Sequence, residues 1–172
     1  MIYYIEFPLE NIRLFKQNKY NKGFSFISLN DCFEYNEQPI NLEGANKIHC
    51  TYCLNNTDAL IYNKLITLPK VLTIILNYGN NLENQVEFSF PKDISLEKYI
   101  TDKTNNSNYH LIGVIAHHGL SGMNGHFVAY CKSPVNGQWY FYNDKIVAHC
   151  QNEVKSETLM NGKPYILFYQ RK

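Results

Sequence analysis

YHLIGVIAHHGLSGMNGHFVAYCKSPVNGQWYFYND, residues 109–144, sets an apolar strand, a glycine-rich loop, the triplet Gly125-His126-Phe127 and an aromatic strand ending in Asn143-Asp144 in immediate succession. Strands are expected over 109–116, 127–132, 138–142 and 145–149, at hairpin-like spacings. Residues 133–137, SPVNG, supply Asn-Gly turn chemistry between the second and third. A histidine at the mouth of one strand and an Asn or Asp at the end of the next are what a thiol nucleophile needs. The imidazole takes the thiol proton, and the third group holds the ring in the useful tautomer. The cysteine that would complete such a set has no convincing candidate in the chain.

Working outward, residues 164–169 read as a last strand and 152–160 as a polar helix. Upstream, residues 71–76, VLTIIL, form a continuous apolar run, as in a central strand buried on both faces. Val86, Phe88 and Phe90 alternate with Glu87 and Ser89, the period of a half-buried strand, and a short helix is expected at 95–100. Residues 60–68 read as a strand leading to Pro69. Ser28 can cap a helix that carries Leu29, Cys32 and Phe33 on one face and stops near Gln38-Pro39, after the short apolar run 24–27. Residues 2–15 read as an extended, edge-like segment, because Pro8 cannot donate within a central strand. Cys50-Thr51-Tyr52-Cys53 places two thiols around a tight turn, a knuckle. The whole is α+β with a dominant antiparallel sheet.

The 172 residues suffice for one domain with a real core; 45% are hydrophobic, and 14 Tyr and 10 Phe suit a sheet-rich fold. With 16 basic and 15 acidic residues the formal net charge is +1, so no one-signed field recruits a polyanion or a lipid surface: neither nucleic acid nor membrane is an expected partner. No stretch approaches the roughly 20 apolar residues of a membrane span, and no signal peptide is recognisable. A cytoplasmic or nuclear location is the expectation. Five cysteines, of which only Cys50 and Cys53 are close together, argue against a secreted disulfide framework.

From His126 through Trp139 to Asn143-Asp144, with the closing run PYILFYQR at 164–171, the chain resembles the histidine-box region of the ubiquitin-specific proteases, papain-like cysteine deubiquitinases. The likeness continues upstream in residues 28–33, SLNDCF; 42–46, LEGAN; the Cys50/Cys53 pair; and 68–72, LPKVL. It covers nearly the whole chain and only the C-terminal portion of a family catalytic domain. It implies a partial papain-like cysteine protease fold, with a degenerate finger region over 1–65 and an antiparallel palm sheet with the histidine box over 66–172.

The resemblance makes His126 the general base and then the acid for the leaving amine. It places the orienting residue at Asn143, with Asp144 beside it as a supporter, and sets His117, Gly119, Gly125 and Phe127 along the substrate tail. Gly125 would leave room for a narrow chain such as ubiquitin's tail, which ends in two glycines. Phe127 stands where the family more usually has tyrosine, and Asn77-Tyr78-Gly79 departs from the basic and aromatic residues common there. His117, His118 and His149 are expected in structural or loop roles.

The implied activity is thiol-dependent hydrolysis of the isopeptide bond after ubiquitin's terminal glycine, with ubiquitin or a ubiquitinated protein as partner. The family's nucleophile lies upstream in an Asn/Gly/Thr-rich box that this sequence lacks. Cys32 imitates it nearest, but as a buried residue of a packing helix. A fragment or incomplete gene model is favoured over a lost catalytic lobe or assembly with a second chain, since Met1-Ile2-Tyr3-Tyr4 enters directly what reads as a mid-domain strand. A missing N-terminal catalytic lobe is then a partner. The rival reading is a catalytically inactive ubiquitin-binding or scaffold module that keeps the palm. Catalysis requires no cofactor; Cys50 and Cys53 are half of a structural zinc site, complete only if a second cysteine pair is supplied.

Overall fold

In the computed structural model, which describes residues 4–21, 23, 26–79, 86–101, 103, 106–121, 124–155, 159 and 162–172, the segment quoted above is the middle of one sheet. Seven of its strands run in the order β1 (Tyr4–Pro8), β7 (Val71–Asn77), β14 (Lys163–Arg171), β10 (Asn108–Ser121), β11 (Asn124–Lys132), β12 (Trp139–Asn143) and β13 (Ile146–His149). An eighth, β9 (Asp93–Ser95), pairs with the start of β10. The β1–β7 ladder is parallel and the others of this sheet are antiparallel. The hairpins expected from Asn-Gly and from the short spacings therefore form, and the closing strand inserts between β7 and β10 instead of extending an edge.

One face of the sheet is sealed. Leu72, Ile74 and Leu76 of β7, Val114 and Ala116 of β10, Val128 and Tyr130 of β11 and Leu167 of β14 join a single buried cluster with Leu9 and Ile12 of helix α1 (Leu9–Tyr20) and Leu29, Cys32 and Phe33 of helix α2 (Leu29–Asn36). The small parallel pair β2 (Phe26–Ser28) and β8 (Glu87–Ser89) adds Ile27 and Phe88. Each large apolar side chain sealed there contributes about 1.5–3 kcal/mol. The run 71–76 is accordingly half-buried, not covered on both faces: Thr73 and Ile75 remain partly accessible while their neighbours are sealed.

Helix α2 forms as its sequence suggests. Ser28 Oγ accepts the Asp31 N–H, and the Asp31 carboxylate accepts the Ser28 N–H at 2.8 Å, a reciprocal cap. Lys16 Nζ reaches the same carboxylate at 2.8 Å and ties α1 to α2. Burial pushes the Asp31 carboxyl up, but hydrogen bonds from Lys16 and Ser28 outweigh it and hold the group below its ordinary range.

Four further expectations need correction. Residues 9–15 are not extended: Pro8 is the N-cap of α1, where its missing N–H is one that a helix start leaves unpaired anyway. Residues 95–100 make a turn, not a helix, because their backbone is claimed elsewhere. Leu96 N–H goes to Ser107 O, and Tyr99 O takes the N–H of Leu65. The strand read over 60–68 shrinks to β6 (Ala59–Ile61), and most of the following residues lie exposed, with Leu65 bridged to Ile100. Of the helix read at 152–160, residues 152–155 and 159 are not helical, and the rest lie outside the described residues.

β6 pairs with β3 (Ile40–Leu42), and β4 (Ile48–Cys50) pairs with β5 (Asn55–Thr57). These two ribbons stand apart from the sheet, with Ile40, Ile48, Tyr52, Leu54 and Leu60 exposed.

Candidate active site

Strand pairing brings the two named residues of the histidine box together. His126 sits on β11 opposite His118 of β10, and Asn143 follows the Ala129–Tyr142 pair at the end of β12. The His126 ring leans across so that its Nε2–H donates to Asn143 Oδ1 at 2.7 Å. Asp144 Oδ2 lies 3.6 Å from the same nitrogen. An amide oxygen can only accept, so Nε2 carries the proton and Nδ1 of the neutral ring holds the free lone pair. Among the described residues Nδ1 has no hydrogen-bond partner, and the side chain is 45% exposed. One ring nitrogen is clamped and the other open, the arrangement that a general base would need.

Asp144 reaches its place through a left-handed backbone, φ 50°, at the turn into β13. Asp is among the residues that tolerate this conformation. Its side chain is 77% exposed, so any attraction between it and the ring is screened by solvent.

His117, placed along the substrate tail in the sequence reading, is only 3% exposed and points to the sheet face opposite His126. Its ring packs against Phe127, centroids 4.7 Å apart, and against Tyr165 at 5.5 Å. It lies underneath the glycine loop and supports it. Phe127, the register partner of His117, is 54% exposed and offers an open aromatic surface on that same face. Tyr165, which sequence reasoning left as an ordinary residue of the closing strand, meets Phe127 edge-on at 5.3 Å and continues the row to Tyr78 at 5.1 Å. Its one signal was an aromatic inside an apolar strand, which does not distinguish site from core.

The glycines have a tertiary reason. A Cβ on Gly125 would sit 2.3 Å from His117 Nε2 and 2.5 Å from His118 O; one on Gly119 would sit 2.3 Å from Asn124 O. The hairpin can close over His117 only without those carbons. Across from His126, the His118 Nε2 is buried with no hydrogen-bond partner among the described residues. Burial, then the charges of His117 and His126, hold its pKa below the ordinary histidine value.

No cysteine completes the set; among the described residues none hydrogen-bonds His126. Cys32 is 0% exposed in the core, and burial pushes its thiol far above the ordinary range. Cys131 shares β11 with His126 but points to the other face, and burial also raises Cys131 and Cys150.

Cys50 and Cys53 lie at the tip of the β4–β5 ribbon, where the N–H groups of Cys53 and Tyr52 and the Cys53 thiol lower the Cys50 pKa. N–H groups gathered on one sulfur suit a thiolate ligand. Yet no group of three or more His, Cys, Asp or Glu able to hold a metal occurs among the described residues, so these two thiols would supply only two of the four donors that tetrahedral zinc requires.

Comparison with known proteins places this geometry. Residues 16–169 match the family model of ubiquitin carboxyl-terminal hydrolase. Ubiquitin carboxyl-terminal hydrolase 2 of Bos taurus is 29% identical over 157 residues, covering 87% of this chain and 25% of that protein. The Gallus gallus protein of the same name is 29% identical over 156 residues, 87% of this chain and 42% of its own. The chain thus spans a quarter to two-fifths of these relatives. Among solved structures, the SAGA DUB module containing Ubp8 and bound to monoubiquitin superposes with a TM-score of 0.67 at 27% identity, over 84% of this chain and 33% of that one. The same module bound to ubiquitin aldehyde gives 0.65, also at 27% identity, over 86% and 35%. The fold is therefore the sheet-rich α+β, papain-like one.

Proposed function

Because the chain belongs to the ubiquitin carboxyl-terminal hydrolase family, we propose that it carries the histidine half of a thiol-dependent deubiquitinase site, acting with a cysteine that lies outside these residues. The observation that carries this is the Nε2–H to Asn143 Oδ1 bond at 2.7 Å, with Nδ1 left open. Nδ1 of His126 takes the thiol proton. The thiolate adds to the carbonyl carbon of ubiquitin's terminal glycine, and the resulting imidazolium, steadied by Asn143 and Asp144, protonates the departing lysine amine as the C–N bond breaks. His126 then removes a proton from water, which attacks the thioester and releases ubiquitin's carboxylate and the free thiol. Phe127 and Tyr165 border the path of the tail, and Gly119 and Gly125 keep the loop low beside it. The partner is ubiquitin or a ubiquitinated protein, together with the polypeptide that supplies the nucleophile. The ubiquitin bound in the solved neighbours supports that partner.

The isolated chain favours a second reading, a ubiquitin-binding or scaffold module, because none of its five cysteines is joined to His126. One experiment separates them. Residues 16–169 replace the matching segment of the Bos taurus relative, and the chimera is assayed for release of a fluorescent amine from ubiquitin's C-terminus. Turnover that disappears in His126→Ala is expected; a folded, ubiquitin-binding chimera without turnover establishes the scaffold reading instead. In parallel, the 172-residue chain meets ubiquitin bearing a C-terminal thiol-reactive group. No adduct is expected, and an adduct lost in Cys32→Ala would place the nucleophile inside the chain.

A further inference from the structure

The tip of the β4–β5 ribbon holds a pair of nucleophilic side chains that the deubiquitinase chemistry does not use. Cys50 and Asn55 are register partners, so the loop between them is only residues 51–54. Cys50 O accepts the Leu54 N–H at 2.8 Å, and Asn55 Nδ2 donates to Cys53 O at 3.0 Å, which fixes the two cysteines on either side of one tight turn. Residues three apart across such a turn have Cα atoms less than about 7 Å apart, a separation that a disulfide can bridge. The side chains meet: the Cys53 thiol donates to the Cys50 sulfur, which also accepts from the backbone N–H groups of Cys53 and Tyr52. A sulfur gathered among donors at an open tip is placed to react, whereas one sealed in the core is placed to pack.

Leu54 adds an independent observation. It takes a left-handed backbone, φ 55°, which a bulky side chain rarely adopts. At 73% exposed it gains no packing in return, and Thr51, Tyr52 and Cys53 are exposed as well. A strained turn that no core contact offsets is kept for what it brings together, and here that is the thiol pair. The other three cysteines do not compete. Cys32 is sealed in the core, and burial raises the thiols of Cys131 and Cys150, away from the ribbon.

We propose that Cys50 and Cys53 form an oxidation site, a dithiol that a peroxide converts to a disulfide within the ribbon tip. The Cys50 thiolate attacks one peroxide oxygen, the O–O bond breaks, and hydroxide leaves to be protonated by solvent, so that Cys50 becomes a sulfenic acid. The Cys53 sulfur then attacks the Cys50 sulfur, the S–O bond breaks, and the oxygen departs as water with the Cys53 proton. The thiol pair has lost two electrons, and the peroxide has been reduced to water. Closure removes both thiolates that a metal would need at the tip, and a thiol reductant restores them by exchange. The inference is independent of the deubiquitinase reading.

The fully reduced, chelator-treated 172-residue chain, given an equimolar amount of hydrogen peroxide, tests it. The intact mass should fall by two hydrogens, with the linkage mapped to Cys50 and Cys53 and reversed by a dithiol reductant. Cys32, Cys131 and Cys150 should still alkylate once the chain is unfolded. Cys53→Ser, at an exposed position, should stall at the Cys50 sulfenic acid, which dimedone captures. Closure in the urea-unfolded chain should be about tenfold slower, because the thiols and their donors are then no longer held together. A disulfide joining any other pair or two chains, sulfinic acid at Cys50 ahead of the disulfide, no dimedone adduct in Cys53→Ser, or equal rates in the folded and unfolded chain would each overturn the proposal.

Discussion

At the scale of single residues, the central contact is His126 to Asn143. In the chimera, Asn143→Ala should lower turnover by a factor on the order of 10²–10⁴, because the ring loses the acceptor that selects its tautomer. Asp144→Asn should cost far less, about tenfold or below, since that carboxylate is solvated and 3.6 Å away. Equal losses at the two positions would mean that Asp144, not Asn143, orients the ring. The cysteines separate on the same scale. Timed alkylation followed by mass spectrometry should label Cys53 and Cys50 first and Cys32 only when the chain unfolds, because Cys32 is sealed and its thiol is held protonated. Rapid native labelling of Cys32 would show that α2 opens. Both assignments were legible in the sequence: the histidine box through its resemblance to a family pattern, and the burial of Cys32 from its helical phase with Leu29 and Phe33. Tyr165 was not, because its partners come from β10 and β11, some forty to fifty residues away in the chain.

At the scale of elements, the β10–β11 hairpin and the α1–α2 pair make different demands. Gly125→Ala should destabilise the chain by about 1–3 kcal/mol. Part of that loss should return when His117→Ala is added, since the closest clash is with the His117 ring. Gly119→Ala should gain no such relief, because its closest neighbour is the backbone oxygen of Asn124. Chemical denaturation of the four single and double variants checks this, and equal rescue at both positions would contradict the packing. The α2 cap makes a prediction about pH. Asp31 has a lowered carboxyl pKa in the fold, so its contribution is present above the unfolded value, about 3.9, and fades as pH falls through the folded one. Asp31→Ala should therefore cost about 1 kcal/mol near neutrality, a melting shift of about 2–4 °C, and nearly nothing in strong acid. A constant penalty across pH would assign the effect to packing. Ser28 and Asp31, three residues apart, announced this cap. Helix α1 gave no comparable signal, because Pro8 reads equally as a strand breaker and as a helix start.

At the scale of the whole molecule, a sheet sealed on one face by α1, α2 and the β2–β8 pair carries its site at the end of β11 and β12, while the two-stranded ribbons project with their apolar residues exposed. Two thiols at a ribbon tip should hold zinc weakly. Adding zinc or a chelator to the 172-residue chain should leave its melting temperature unchanged within about 1 °C, whereas a closed four-ligand site contributes folding energy outright. A rise of many degrees with zinc would mean that further ligands close the site. The sequence alone determined the α+β class and the hairpin succession from 109 to 149, while its resemblance to the ubiquitin-specific proteases pointed to the family and to the His126–Asn143 pair. These rest on local signals: period-two alternation, Asn-Gly turn chemistry, and residue types at fixed short spacing. Only the tertiary structure decided that β14 inserts between β7 and β10, that 71–76 is covered on one face, that His117 lies beneath the loop, and that Gly119 and Gly125 are required by it. Those outcomes depend on which distant segments come into contact, and a contact made across fifty or a hundred residues leaves no local pattern at either of its ends.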